Sequence, residues 1–139
     1  MIGTTKKNIV FINTATRENS YVTIVTPSIS RTQVITERNV LTALDILVKK
    51  VNVSLKHLDG IVVVQGPGQF SSIRTGIAVA NTLGYALNIP VAGIALDNVL
   101  SQEEILARGI KKIMKVKNYR PVAPVYGAEP NITKAKTKV

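Results

Sequence analysis

The run Gly60-Ile61-Val62-Val63-Val64-Gln65-Gly66 constrains this chain more than any other stretch. Ile61 to Val64 is wholly apolar and lies between two glycines, which fits a strand buried on both faces, as in the parallel sheets of layered α/β proteins. Parallel neighbours need long crossovers, and the flanking sequence supplies helices for them. Before the run, residues 37–53 place Val40, Leu44, Leu47 and Val51 at helical spacing, with Leu41 and Val48 widening the stripe and Thr36 as N-cap. After it, the turn Gly66-Pro67-Gly68-Gln69-Phe70 leads into a helix from Ser71 or Ser72 to Leu87, ended by Asn88 and Pro90.

The remaining segments complete a sheet. Residues 8–14 form a compact β-rich run. Residues 21–26 follow a polar turn and stop at Pro27, and 29–35 mix polar and apolar residues as an edge strand with one wet face would. Residues 91–95 read as a further strand, Asp97 as the cap of a short helix to about Ala107, and 122–126 as one more strand. The order is three strands, helix, strand, helix, strand (βββαβαβ). It predicts an α/β mixed sheet with helices on its faces, the ribonuclease H-like or actin-like ATPase core. At 139 residues the chain suits one domain in a single lobe, residues 1–107, followed by a basic segment, 108–139.

Charge is unevenly placed. Residues 108–139 carry nine basic groups against Glu129 alone, a local charge of +8 out of a total of +10. Lys111, Lys112, Lys115, Lys117 and Arg120 are therefore candidate RNA contacts, because such segments meet polyanions when they are not simply solvated. The absence of cysteine excludes thiolate nucleophiles and cysteine-held metals, and a single histidine excludes most histidine-based metal sites. The apolar run near the N-terminus is too short for a signal segment or a membrane span, so a cytoplasmic protein is expected.

Candidate chemistry is sparse. A nuclease with this sheet would place a metal-binding carboxylate at the end of its first strand, and here the position holds Asn13, a neutral and poorer ligand. The Gly66–Ser72 loop joins a strand to a helix N-terminus, where a phosphate would be favoured, with Gly66, Gly68, Ser71, Ser72 and Arg74 as its contacts. It lacks the lysine of a phosphate-binding P-loop and the third glycine of a dinucleotide fingerprint, and the same glycines equally serve a tight turn. His57 reads as a solvent-facing loop residue, Asp45 as an outward position, Asp59 as the residue before a strand. No catalytic set and no metal site is expected. In the second long helix Gly76, Ala80 and Gly84 recur four apart beside Ile73, Ile77 and Leu87, so another backbone could approach that face closely.

Ile61 to Leu100, IVVVQGPGQFSSIRTGIAVANTLGYALNIPVAGIALDNVL, resembles the signature region of the TsaB (YeaZ) family. The opening IVFINTAT and the closing PVAPVYGAEPNITKAK are similar to that family's first strand and final segment. The resemblance implies an actin-like fold and a non-catalytic scaffold that supports the ATPase TsaD, in bacteria together with TsaE, in making threonylcarbamoyladenosine at position 37 of tRNA. It implies no cofactor of the chain's own, ATP or ADP at the junction with the partner, tRNA reached through the complex, and a homodimer in isolation. Carried over by position, the partner-facing surface comes from Val40, Leu41, Leu44, Leu47 and Val48 of the first helix. The second helix adds Ile73, Gly76, Ile77, Ala80, Leu83, Gly84 and Leu87.

Departures from the family pattern matter too. Asn13 replaces an Asp, Gln69 and Ser71-Ser72 stand where SFTG is usual, and Gly127-Ala128 replace Leu-Arg. Only 20 residues, 101–120, separate the signature from the closing segment, so a shortened form lacking most of the second lobe is expected. Two other functions compete with the scaffold: a tRNA-binding module that uses the basic segment, and a small phosphate-dependent enzyme or peptidase.

Overall fold

The computed structural model describes residues 6–15, 20–36, 39–68, 70–95 and 101–125. Five strands, β1 (Ile9–Asn13), β2 (Tyr21–Val25), β3 (Ser30–Val34), β4 (Gly60–Gly66) and β5 (Val91–Ala95), form one sheet in the order β3-β2-β1-β4-β5. β1, β2 and β3 are antiparallel, and β1, β4 and β5 are parallel. The helices are α1 (Val40–Val51), α2 (Phe70–Leu87) and α3 (Gln102–Ile113). This is the mixed actin-like ATPase core that the sequence pattern predicts.

Burial follows from strand position. β1 and β4 lie inside the sheet between two helix layers, so Ile9 to Asn13 and Gly60 to Val64 are buried throughout. β3 is an edge strand, exposed over most of its length as its polar residues require. One core lies between the sheet and α1 with α2, built on Val10, Ile12, Val22, Ile24, Leu44, Leu47, Ile61, Val63, Ile73 and Ile77. The other lies under α3 and contains Ile9, Phe11, Val62, Val64, Ile94, Ile105 and Leu106.

Three boundaries differ from the sequence reading. α1 begins at Val40 with Asn39 as its cap rather than Thr36, because the Asn39 side chain accepts the Thr42 N–H at 3.0 Å. Glu37 lies outside the described residues. α3 runs to Ile113, beyond the boundary expected at 107/108. Its N-cap is Ser101, whose hydroxyl accepts the Glu104 N–H while the Glu104 carboxylate accepts the Ser101 N–H. Those bonds hold the Glu104 carboxyl below its usual range. Gly109, mid-helix, lets α3 lie directly on Phe11 and Val62. Asp97, the expected cap, lies outside the described residues.

The strand expected over 122–126 does not form across 122–125, and Tyr126 lies outside the described residues. Asn81 and Gln65 claim the backbone groups that a strand would pair. Asn81 Nδ2 donates to the Val122 carbonyl at 3.0 Å, and the Val122 N–H donates to Asn81 Oδ1 at 2.8 Å. Gln65 Nε2 donates to the Ala123 carbonyl at 2.8 Å, and the Val125 N–H donates to the Gln65 carbonyl at 2.8 Å. Val122 packs over Gly93 of β5, on the same side of the sheet as α2.

Candidate functional site

The end of β1 is where this sheet would hold a reacting group. Asn13 is 8% exposed and both ends of its amide are engaged. Its Nδ2 donates to the Tyr21 hydroxyl at 3.0 Å and its Oδ1 accepts the Ala15 N–H at 3.0 Å. Burial pushes the Tyr21 phenol above its ordinary pKa, and the Asn13 hydrogen bond partly opposes the shift. Asn13 thus fastens β1 to β2 and shapes the turn after β1. Among the described residues no group of three or more His, Cys, Asp or Glu side chains could hold a metal ion.

The Gly66 loop lies against this end of β1. Gly66 adopts φ +116°, a backbone conformation that side chains rarely tolerate, and Gly68 packs so closely on the Ala15 carbonyl that a Cβ there would collide with it. The five expected phosphate contacts divide. Gly68, Ser71 and Arg74 are exposed, but Gly66 and Ser72 are buried, so those two do not face a surface anion. The Ser71 carbonyl accepts the Thr75 hydroxyl at 3.0 Å, an ordinary first-turn bond. Gly76 sits directly on Thr14, whose Oγ1 is buried with no hydrogen-bond partner among the described residues.

The expected partner surface needs correction. Val40, Leu44, Leu47, Val48, Ile73, Ile77 and Ala80 are all buried in the chain's own core, with at most 7% exposure. Gly76 faces Thr14, and Gly84 faces Val91 and Tyr119, so the small-residue stripe seats α2 on its own sheet. Leu83 and Leu87 are half-buried against the same core. Only Leu41 of the twelve points outward, at 55% exposure. The outward face of α2 instead presents Ala78, Thr82, Tyr85 and Ala86, with Tyr85 76% exposed and Arg74 the one ionised side chain in 18 residues.

Lys111, Lys112, Lys115, Lys117 and Arg120 are all exposed, and Lys112 Nζ also donates to the Gly93 carbonyl on β5. His57 is exposed, with Nδ1 3.3 Å from the Ser54 hydroxyl. Asp45 pairs with Lys49 at 3.0 Å, and Asp59 accepts the Asn8 N–H at 2.8 Å.

A family model described as "TsaD: tRNA N6-adenosine threonylcarbamoyltransferase" matches residues 22–110, from β2 through most of α3. The chain belongs to the TsaD family. Within that family it is TsaB/YeaZ-like. It is 32% identical over 87 residues to the tRNA threonylcarbamoyladenosine biosynthesis protein TsaB of Buchnera aphidicola, covering 60% of this chain and 41% of that protein. It is 40% identical over 53 residues to a tRNA N6-adenosine threonylcarbamoyltransferase of Geotalea uraniireducens, covering 38% of this chain and 16% of that protein. Among solved structures, YeaZ from Pseudomonas aeruginosa matches with a TM-score of 0.58 and 27% identity over 64% of this chain and 43% of that chain. The chain thus spans less than half the length of these relatives.

In this TsaB/YeaZ-like chain, Asn81, Gln65, Tyr85 and Tyr119 escaped the sequence reading. The missed signal lay in the charge pattern of α2. A surface helix normally carries charges on its outer face, whereas this one carries Ala78, Thr82, Tyr85 and Ala86. No helix among the described residues is long and apolar enough to cross a membrane.

Proposed function

We propose that the chain is a non-catalytic subunit in threonylcarbamoyladenosine modification of tRNA, and that it docks on a TsaD-type transferase through the outward face of α2. The carrying observation is the outer face of α2, which leaves Tyr85 largely in water and uncharged neighbours around it. The end of β1 supports the non-catalytic reading, since Asn13 brings no charge and its amide is engaged at both ends. TsaE and ATP or ADP then belong to the assembled complex, tRNA is reached through it, and the cytoplasm is where it works. The same face would support a homodimer when the transferase is missing.

A second reading, direct tRNA contact, is favoured by the exposure of Lys111, Lys115, Lys117 and Arg120. Lys111 and Lys115 lie on or next to α3, across the sheet from the α1 and α2 layer, so the two readings are compatible.

The test is copurification with the transferase of the same cell and measurement of the intact complex's mass. Tyr85→Lys and Ala78→Glu should each weaken the complex by about 30-fold or more, the effect of losing a hot-spot contact. Unchanged affinity in both folded variants would reject the docking face. Reversing charge at Lys111, Lys115 and Lys117 should leave transferase binding intact. If those lysines contact tRNA, the reversal should also flatten the salt dependence of tRNA association.

A further inference from the structure

Residues 119–125 are fastened differently from the rest of the molecule. Each strand is anchored by fully buried apolar side chains or sits beside one that is. In this segment Tyr119, Val122 and Pro124 are only half-buried, and Arg120, Pro121, Ala123 and Val125 are exposed. The fastening is polar. Asn81 brackets Val122 with two hydrogen bonds, and Gln65 holds Ala123 and Val125 with two more. All four end on the segment's backbone. The Tyr119 ring lies over Gly84 and meets Tyr85 edge-on, with centroids 5.9 Å apart and planes at 67°. Few buried apolar contacts and hydrogen bonds close to solvent mark a unit that opens without the core.

We propose that residues 119–125 form a strap that opens and closes as a unit, and that the closed strap holds Tyr85 in place on the outer face of α2. The second clause rests on the proposed docking role of that face. An exposed tyrosine loses rotamer freedom when a partner covers it, and an aromatic neighbour that already fixes the ring removes part of that cost. The partner then binds the closed form, and its apparent affinity scales with the closed fraction. Linkage requires the reciprocal effect: a bound partner holds the strap shut.

Amide hydrogen exchange followed by NMR on the full chain tests the first clause without any partner. The Val122 and Val125 N–H groups should exchange at least about 100-fold faster than those of β4, as expected for a unit well below global stability. Leu47→Ala weakens the core that the closed and open forms share, so it should speed β4 exchange by about 30-fold or more and leave strap exchange unchanged. Tyr119→Ala should speed strap exchange about tenfold, and so should Asn81→Ala read at the Val125 N–H, because Asn81 Oδ1 is itself the acceptor of the Val122 N–H. Strap amides that exchange at the β4 rate, or that accelerate together with β4 in Leu47→Ala, overturn the strap as a separate unit.

Transferase binding tests the second clause. Tyr119→Ala removes the ring that fixes Tyr85 and should bind the transferase about fivefold more weakly, the cost of ordering one freed side chain. Asn81→Ala should weaken binding only by the fall in closed fraction that exchange reports. Tyr119→Ala with unchanged or tighter binding overturns the positioning role. A wild-type chain that binds no transferase rejects the docking function and with it this clause, whereas the exchange result stands or falls separately.

Discussion

α1 and α2 lie side by side on one face of the sheet and solve the same packing problem with opposite outer faces. α1 turns Val40, Leu44, Leu47 and Val48 inward and shows water Asp45, Lys49 and Lys50 beside Leu41 and Ile46, with an Asp45–Lys49 pair one turn apart. α2 packs Ile73 and Ile77 and then narrows to Ala80 and Gly84, yet outside it shows Ala78, Thr82, Tyr85 and Ala86. An apolar stripe tells which face enters the core. It says nothing about partners, and the informative face is the outer one, where missing charge singles out α2.

The largest expected effects show that the two inner faces are alike. Leu47→Ala and Ile73→Ala each remove a side chain with 0% exposure and should each lower the unfolding free energy by about 2–5 kcal/mol in urea titrations. If either change were tolerated at below about 1 kcal/mol, as an exposed site would be, the inner stripe would be free for docking and the assignment of faces would reverse.

Gly76→Ala comes next and probes the narrowing of α2. In an open helix position the change gains up to about 1 kcal/mol through propensity. Here the added methyl collides with the Thr14 hydroxyl, so the net effect should be a loss of about 1–3 kcal/mol. A stabilised variant would mean that α2 stands away from β1.

Where the helices agree, their mutants should agree. Both end on an asparagine in the left-handed region, Asn52 at φ 58° and Asn88 at φ 55°. In both, the residue after it donates back to a helix carbonyl: Val53 N–H to Val48 and Ile89 N–H to Gly84, each at 3.0 Å. Asn52→Ala and Asn88→Ala should cost similar amounts, about 1 kcal/mol each, because alanine enters the left-handed region less readily than asparagine does. Thermal unfolding of the two variants side by side checks this.

The sheet was legible because two-sided burial leaves a direct mark: Ile9 to Ile12 and Ile61 to Val64 are unbroken apolar runs, and the mixed composition of 30–34 marks an edge. The capping box at Ser101 and Glu104 was equally present in the sequence, but the glycine at 109 and the charges around it obscured the helix that follows. The candidate site was less legible. Small residues at 76, 80 and 84 say that something approaches closely, and only the three-dimensional arrangement says that Thr14, Val91 and Tyr119 do. The strap was illegible for a further reason. Its partners Asn81 and Gln65 lie more than 40 residues away, and bonds from side chains to a distant backbone leave no local pattern.

The smallest stability effect carries the sharpest contrast between the two helices. Asp45→Ala removes an exposed i,i+4 pair and should cost about 0.3–0.5 kcal/mol, fading as salt is added. Ala78→Glu adds a charge one turn after Arg74, the one ionised side chain of α2, and, on an exposed helix surface, should also change stability by no more than about 0.5 kcal/mol. The two should part company in binding. Asp45→Ala lies on a face already adapted to water and should leave transferase affinity within about twofold. Ala78→Glu would have to be desolvated beneath a partner and should weaken it by about 30-fold. Equal binding by both variants would remove the distinction between the outer faces while leaving every statement about the core intact.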